Sequence, residues 1–331
     1  MSIRTVGIVG TGVIGASWTG LFLAHGLRVI VADPAPGAEE KLASYLESIW
    51  PALETMDSSG VPQADSDSPY SASLSNYQFV GATLGRHYKD VDFLQENAPE
   101  RTDLKTKLLA EIDAAVRPDV VIASSSSGIP SSKFISQCQH PERVLIGHPF
   151  NPPHLMPLVE VVPHSNTSAS AISNAMDFYE SVGRRPVHIK EEVPGFVANR
   201  LQAALCNEAY SLVARGVVTA QDLDACVTTS LGPRWAMVGP FLANAMGGGG
   251  GSEGFKHLLE HLGPASRIWV EDMQEHKFDW SQDSIDALGS SVSDELQGKD
   301  VQELEQKRDN DLVKFFKIKG VRRTSFHGIA L

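Results

Sequence analysis

The sequence predicts an α/β protein, with a mostly parallel sheet domain over residues 1–190 followed by an all-α domain over residues 191–331. Short β-branched runs alternate with helix-period stretches through the first half, the pattern of strands joined by crossover helices. A glycine-rich turn links the first of these runs to the first helical stretch. Beyond Pro194-Gly195 the runs stop and helical periodicity continues alone.

Thr5-Val6-Gly7-Ile8-Val9 reads as the first strand, residues 16–25 as the helix after it, and residues 28–32 as the second strand. Further strands are expected at 91–95, 120–123, 143–146, 158–162 and 186–189, with helices at 103–116 and 169–182. Residues 57–75 are rich in Ser, Asp, Pro and Gly and read as a solvated excursion from the sheet domain. In the second half, helices are expected at 196–216, 220–229, 254–262 and 302–318, and the five glycines at 247–251 read as a floppy connection between helices.

Composition narrows the function classes. The formal net charge is −12 and the pI is about 5.4. Nucleic acid and anionic membrane are therefore poor partners, since both need a cationic face. The cysteines, Cys138, Cys206 and Cys226, form no Cys-x-x-Cys pair, so neither a disulfide framework nor a structural zinc site is expected. His257 and His261 stand four apart without the glutamate of a His-Glu-x-x-His motif and read as solvent-facing, so no metal site is expected. No apolar run approaches the ~20 residues of a membrane span. A strand within a few residues of Met1 leaves no room for a signal peptide, and the last residues are not a Ser-Lys-Leu address, so a cytoplasmic protein is expected.

The hexamer Gly10-Thr11-Gly12-Val13-Ile14-Gly15 is a weak signal alone. Here it follows an apolar strand, opens a helix, and is followed 18 residues after Gly15 by Asp33, at the end of the second strand. That context makes it a Rossmann-type dinucleotide site. Gly10 permits the tight turn, Gly12 lets the backbone approach a pyrophosphate, and Gly15 lets helix and strand pack closely, with Val13 and Ile14 completing the turn. The helix N-terminus favours the phosphates. Asp33 would accept from ribose hydroxyls, and Pro34-Ala35-Pro36 offers no cation for a 2′-phosphate, so the expected cofactor is NAD rather than NADP.

Oxidising an alcohol needs a base for the hydroxyl proton, and a histidine oriented by a carboxylate suits that task near neutral pH. His148 lies in Gly147-His148-Pro149-Phe150-Asn151-Pro152, and Glu160 follows 12 residues later inside an apolar strand. On spacing alone, a His–Glu dyad and a satisfied core pair both remain open.

These segments, with Pro-Gly-Phe-Val-Ala-Asn-Arg-Leu at 194–201, resemble the 3-hydroxyacyl-CoA dehydrogenase family from the first strand to about Pro264. The resemblance implies that His148 is the acid/base and Glu160 its orienting partner. It also places the family's substrate-side hydroxyl on Ser127 and its substrate-side amide on Asn199, with Asn151 in the substrate pocket. The loop from Gln95 to Arg101 resembles the family's cofactor-contacting loop, carrying Glu96 and, in place of a lysine, Arg101. Ser125-Ser126-Ser127-Gly128 departs from the Asn-Thr-Ser-Ser of the acyl-CoA enzymes. With the stretch 231–240 it is more similar to the L-gulonate 3-dehydrogenase (lambda-crystallin) branch, and around Gly263-Pro264 to L-carnitine dehydrogenases. In the gulonate branch an arginine at the position of Arg234 would hold a free substrate carboxylate. Residues 42–85 contain no Lys or Arg, whereas the phosphates of CoA call for cations. The expectation is NAD-dependent oxidation or reduction at the 3-hydroxyl of a small, L-gulonate-like hydroxy acid by a homodimer. The alternatives are a 3-hydroxyacyl-CoA, carnitine or specialised-metabolite dehydrogenase, and, outside catalysis, an NAD-binding structural or sensor protein.

Overall fold

The structure, a computed structural model, describes residues 3–57, 71–250 and 253–319. Its centre is one eight-stranded sheet: β1 (Thr5–Val9), β2 (Arg28–Ala32), β3 (Tyr77–Phe79), β4 (Phe93–Glu96), β5 (Val121–Ser124), β6 (Val144–Pro149), β7 (Leu158–Val162) and β8 (Arg185–His188). Their spatial order is β3-β2-β1-β4-β5-β6-β7-β8. All neighbouring pairs are parallel except β6 and β7. The helices around the sheet are α1 (Val13–Ala24), α2 (Ala38–Asp57), α3 (Thr102–Ala115) and α4 (Ala169–Ser181).

A sheet that is parallel over most of its width must be covered on both faces. Alternate residues of the strands accordingly enter two separate cores. Val6, Ile8, Val29, Val31, Phe93 and Ala123 join one with Trp18, Phe22 and Leu42. Val9, Ile30, Leu94 and Ile122 join the other with Leu109 and Ile112 of α3. Helix α1 is apolar all round and buried from Gly15 to Ala24, as a helix packed between sheet and α2 must be.

After the sheet come α5 (Ala198–Ala214), α6 (Ala220–Cys226), α7 (Gly232–Gly247), α8 (Gly254–Glu275), α9 (Gln282–Leu296) and α10 (Val301–Lys319), and no strand occurs among their described residues. The chain forms two compact units. One runs to Asn199 and takes in the chain from Arg308 onward; the other is Arg200–Lys307. The boundary expected at residue 190 thus lies inside the first unit, and α10 is shared between the two.

Several elements differ from the expectation for identifiable reasons. Helix α2 contains Pro51 and α8 contains Pro264, and both run through residues that usually mark a helix end. In α7, Gly239 has φ 75° before Pro240, so two helical pieces meet at a kink. Strand β3 is three residues long and falls below any periodicity test. The glycine run is more than slack connection. A Cβ at Gly248 would stand 1.8 Å from the carbonyl oxygen of Gly254, and Gly249 has φ +100°, so glycine is needed for α7 and α8 to approach. Of the solvated excursion expected at 57–75, residues 58–70 lie outside the described residues, as does Gly251 of the glycine run. All three cysteines are free. Among the described residues no helix is long and apolar enough to cross a membrane, and no group of three metal-ligating side chains occurs.

Candidate active site

Strand β1 is flanked by β2 on one side and β4 on the other, so the chain reverses its direction of winding there and opens a crevice at the strands' carboxyl ends. The glycine turn occupies that point. Gly10 has φ +89°, and a Cβ on Gly15 would stand 1.9 Å from the Gly10 carbonyl oxygen, so neither tolerates a side chain. Gly12 precedes α1, no side chain caps its first amides, and no acidic residue lies in its first turn. Nothing lies within 4 Å of where a Gly12 Cβ would be. Open, uncapped amides at a positive helix end are the donor set a pyrophosphate requires. Val13 is exposed and Ile14 half-buried beside them.

Asp33 closes this turn as well as facing the crevice. Its Oδ2 accepts from the amide of Thr11 (2.6 Å) and from Thr11 Oγ1 (2.9 Å), and its Oδ1 accepts from the amide of Ala35 (2.7 Å). The residues present therefore fit an NAD-type dinucleotide.

The four serines that end β5 and follow it each do something different. Ser124 Oγ donates to Glu96 Oε2 at 2.5 Å. Ser125 Oγ donates to Asn97 Oδ1 (2.7 Å) and accepts from Gln95 Nε2 (2.8 Å) and Trp18 Nε1 (3.2 Å). Ser126 Oγ donates to Glu100 Oε1 (2.7 Å). Ser127 is exposed, and its carbonyl accepts from Asn199 Nδ2 at 2.6 Å.

The antiparallel pairing of β6 and β7 puts His148 directly opposite Glu160 in register. Their side chains share a sheet face, and His148 Nδ1 lies 2.9 Å from Glu160 Oε2, both groups buried. The other carboxylate oxygen accepts from the amides of Val197 (2.9 Å) and Ala198 (3.0 Å) at the start of α5. Burial raises the pKa of Glu160, but the bonds from His148 and from the two amides outweigh it and hold the carboxyl below its usual value. Phe196, buried, packs 5.7 Å from the His148 ring and has φ 49°. A positive φ is an outlier for an aromatic residue, and such strain concentrates where a site needs a fixed geometry. Phe150 covers the ring from another side at 5.2 Å.

The site's fold and order have counterparts elsewhere. Residues 5–192 match the model of the 3-hydroxyacyl-CoA dehydrogenase NAD binding domain, and residues 195–281 that of the 3-hydroxyacyl-CoA dehydrogenase C-terminal domain. The chain belongs to the 3-hydroxyacyl-CoA dehydrogenase family. It is 53% identical over 308 residues to a 3-hydroxyacyl-CoA dehydrogenase of Gibberella moniliformis, covering 93% of this chain and 92% of that one. To an L-carnitine dehydrogenase of Pseudomonas aeruginosa it is 41% identical over 311 residues, 94% and 92% of the two chains. Among solved structures it superposes on an NAD⁺-dependent 5-formyl-3-hydroxy-2-methylpyridine 4-carboxylic acid 5-dehydrogenase with a TM-score of 0.75 at 27% identity, over 97% of this chain and all of that one. The protein is an NAD-dependent oxidoreductase acting on CH–OH groups.

Within this member of the family, two residues of the expected cofactor loop are bonded to partners in the chain itself. Glu96 is completely buried, and its carboxylate is filled by Lys105 Nζ (2.9 Å), Ser124 Oγ and the amide of Ala98 (2.5 Å). It supports the loop from beneath rather than facing a ligand. Arg101 is 67% exposed and pairs with Asp103 at 2.6 Å, and the lysine that pairs with Glu96 is Lys105. The signal was present in α3, where Lys105, Leu109 and Ile112 share one buried face at helical spacing. Glu100 was missed too, because the hydrogen-bond donors to its carboxylate lie 26 to 29 residues away. Asn151 is exposed in the turn after β6. Arg234 is exposed in the first turn of α7, within the second unit.

Proposed function

We propose that the protein oxidises the 3-hydroxyl of a small free hydroxy acid of the carnitine or gulonate type, with His148 as the base and Glu160 as its orienting partner. The pairing of a buried histidine with an anionic carboxylate carries the reading. A carboxylate only accepts, so the proton on the imidazole belongs on Nδ1, and the Nε2 lone pair is left as the base. Taking the hydroxyl proton makes the ring cationic, and the adjacent Glu160 stabilises that charge. When bound, NAD⁺ supplies the acceptor for the hydride leaving C3. Asp33 binds its ribose, and the turn from Gly10 to Gly15 its phosphates. Ser127 Oγ and Asn199 hydrogen-bond the substrate oxygen in this reading, with Asn151 beside them. Arg234 holds the carboxylate, an assignment resting on the sequence resemblance.

A free acid is favoured over a CoA ester by the absence of Lys and Arg from residues 42–85, and by several relatives named L-carnitine dehydrogenases at 39–45% identity. The second reading is an acyl-CoA substrate, favoured by the name of the Gibberella relative. Steady-state rates with L-carnitine, L-gulonate and 3-hydroxybutyryl-CoA separate the two; turnover of the CoA ester alone overturns the first. His148→Asn is expected to lower kcat by about 10²–10⁴-fold with NAD⁺ affinity intact, and a variant near full rate removes the dyad assignment. The same reading makes the protein a cytoplasmic homodimer acting on a small molecule, the dimer being measurable by sedimentation.

A further inference from the structure

We propose that Glu100 is a positioning residue that sets the backbone of the turn carrying Ser127, with Lys105 supplying the charge that holds Glu100 in place. The inference rests on the reading of Ser127 as a substrate ligand given above.

Four donors converge on a single oxygen. Glu100 Oε1 accepts from Ser126 Oγ (2.7 Å) and from the amides of Ser127 (3.0 Å), Gly128 (3.1 Å) and Ile129 (3.3 Å). Three successive backbone N–H groups aimed at one point form an anion-binding concavity, and here the anion is supplied by the chain itself. A turn of Ser, Ser and Gly has little conformational preference of its own, so a charged acceptor that bonds three successive amides there selects one conformer.

The charge beneath it is shared. Lys105 Nζ lies 2.9 Å from Glu96 Oε1 and 3.9 Å from Glu100 Oε2. Glu96 in turn receives Ser124 Oγ. One buried lysine thus anchors the serine segment at both ends, through Glu96 at Ser124 and through Glu100 at 126–129. On the opposite side, Asn199 Nδ2 donates to the Ser127 carbonyl and the Gly195 amide to the Gly128 carbonyl at 3.2 Å. The backbone is held from two directions, while none of these bonds uses the Ser127 hydroxyl. That is the arrangement needed to present a hydroxyl at a fixed position and leave it free for a ligand.

The test compares Glu100→Gln, which keeps the size and an acceptor oxygen but removes the charge, with Glu100→Ala. Hydrogen exchange of a peptide covering 125–130 is expected to quicken in both, with exchange in β1 and β4 unchanged. For whichever hydroxy substrate the wild type oxidises best, kcat/KM is expected to fall by about 10-fold in Glu100→Gln and by about 100-fold in Glu100→Ala, while the NAD⁺ dissociation constant stays within about twofold. Unchanged exchange at 125–130, a looser turn with wild-type kcat/KM, or a parallel loss of NAD⁺ affinity would each overturn the proposal. Should Glu100→Ala not fold, Glu100→Gln carries the same test. A wild type that oxidises none of the substrates defeats the function proposed above, and the exchange measurement then decides the clamp by itself.

Discussion

His154 gives the protein a measurable sensitivity to acid. It lies in the loop between β6 and β7, 3% exposed, with Nδ1 2.8 Å from Ser17 Oγ, which itself bonds Tyr45 Oη at 2.9 Å. Burial drives its pKa down to about 4; Asp309 opposes the shift, while Arg184 and Arg308 add to it. An unfolded histidine takes its proton near pH ~6.5, so below that value the unfolded chain binds more protons than the folded one and stability falls with pH. The stabilisation is complete above about pH 6.5, is reduced by about 2–3 kcal/mol at about pH 4.5, and is lost to the extent of about 3 kcal/mol once the folded form is protonated. Asn at position 154 keeps a hydrogen-bonding group near that of Nδ1 but does not titrate. Urea unfolding of the wild type and His154→Asn, followed through the buried Trp18, should therefore show curves of stability against pH that converge as the pH falls. The other titrating groups are common to both proteins and cancel in the difference. Curves that stay parallel between about pH 7.5 and about pH 4.5 would refute the argument from burial.

Two further substitutions probe the scaffold. Lys105→Met leaves Glu96 charged and without its partner in the interior, and unfolding measurements should show a loss of about 3–5 kcal/mol, with much of it recovered in Lys105→Met/Glu96→Gln. Single and double variants of equal stability would contradict the pairing. At Gly147 a Cβ would stand 2.0 Å from Tyr179 Oη, which donates to Gln95 Oε1 at 2.6 Å. Tyr179 is completely buried, so Gly147→Ala should cost about 2–4 kcal/mol through overpacking and the displaced hydrogen bond. Calorimetry should register this as a fall in Tm of about 5–10 °C, and an unchanged Tm would show that the tyrosine can move aside.

The locally encoded features were legible in the residues themselves. Strand β1, the glycine turn, α1, β2 and Asp33 follow one another within the first 33 residues, and their chemistry depends on neighbours along the chain. β7 and α4 could be placed within a residue because their patterns are periodic and uninterrupted. Helices α2 and α8 were obscured or cut short because proline normally ends a helix, whereas tertiary packing carries these two through Pro51 and Pro264.

His148 and Glu160 were each readable as unusual residues in apolar surroundings, but their spacing left a dyad and a core pair equally open. What joins them is the reversal of β7 against β6, which puts position 148 opposite 160. Loop 126–129 depends likewise on Glu100 reaching across from the connection after β4, and Lys105 on the fold of α3 over the same edge. From the sequence alone came the α/β class, the dinucleotide turn, the preference for NAD and the names of the catalytic candidates. Strand order and register alone decided which of these side chains meet, because a hydrogen bond reaches only about 3 Å and residues tens of positions apart reach that distance only once the sheet is assembled.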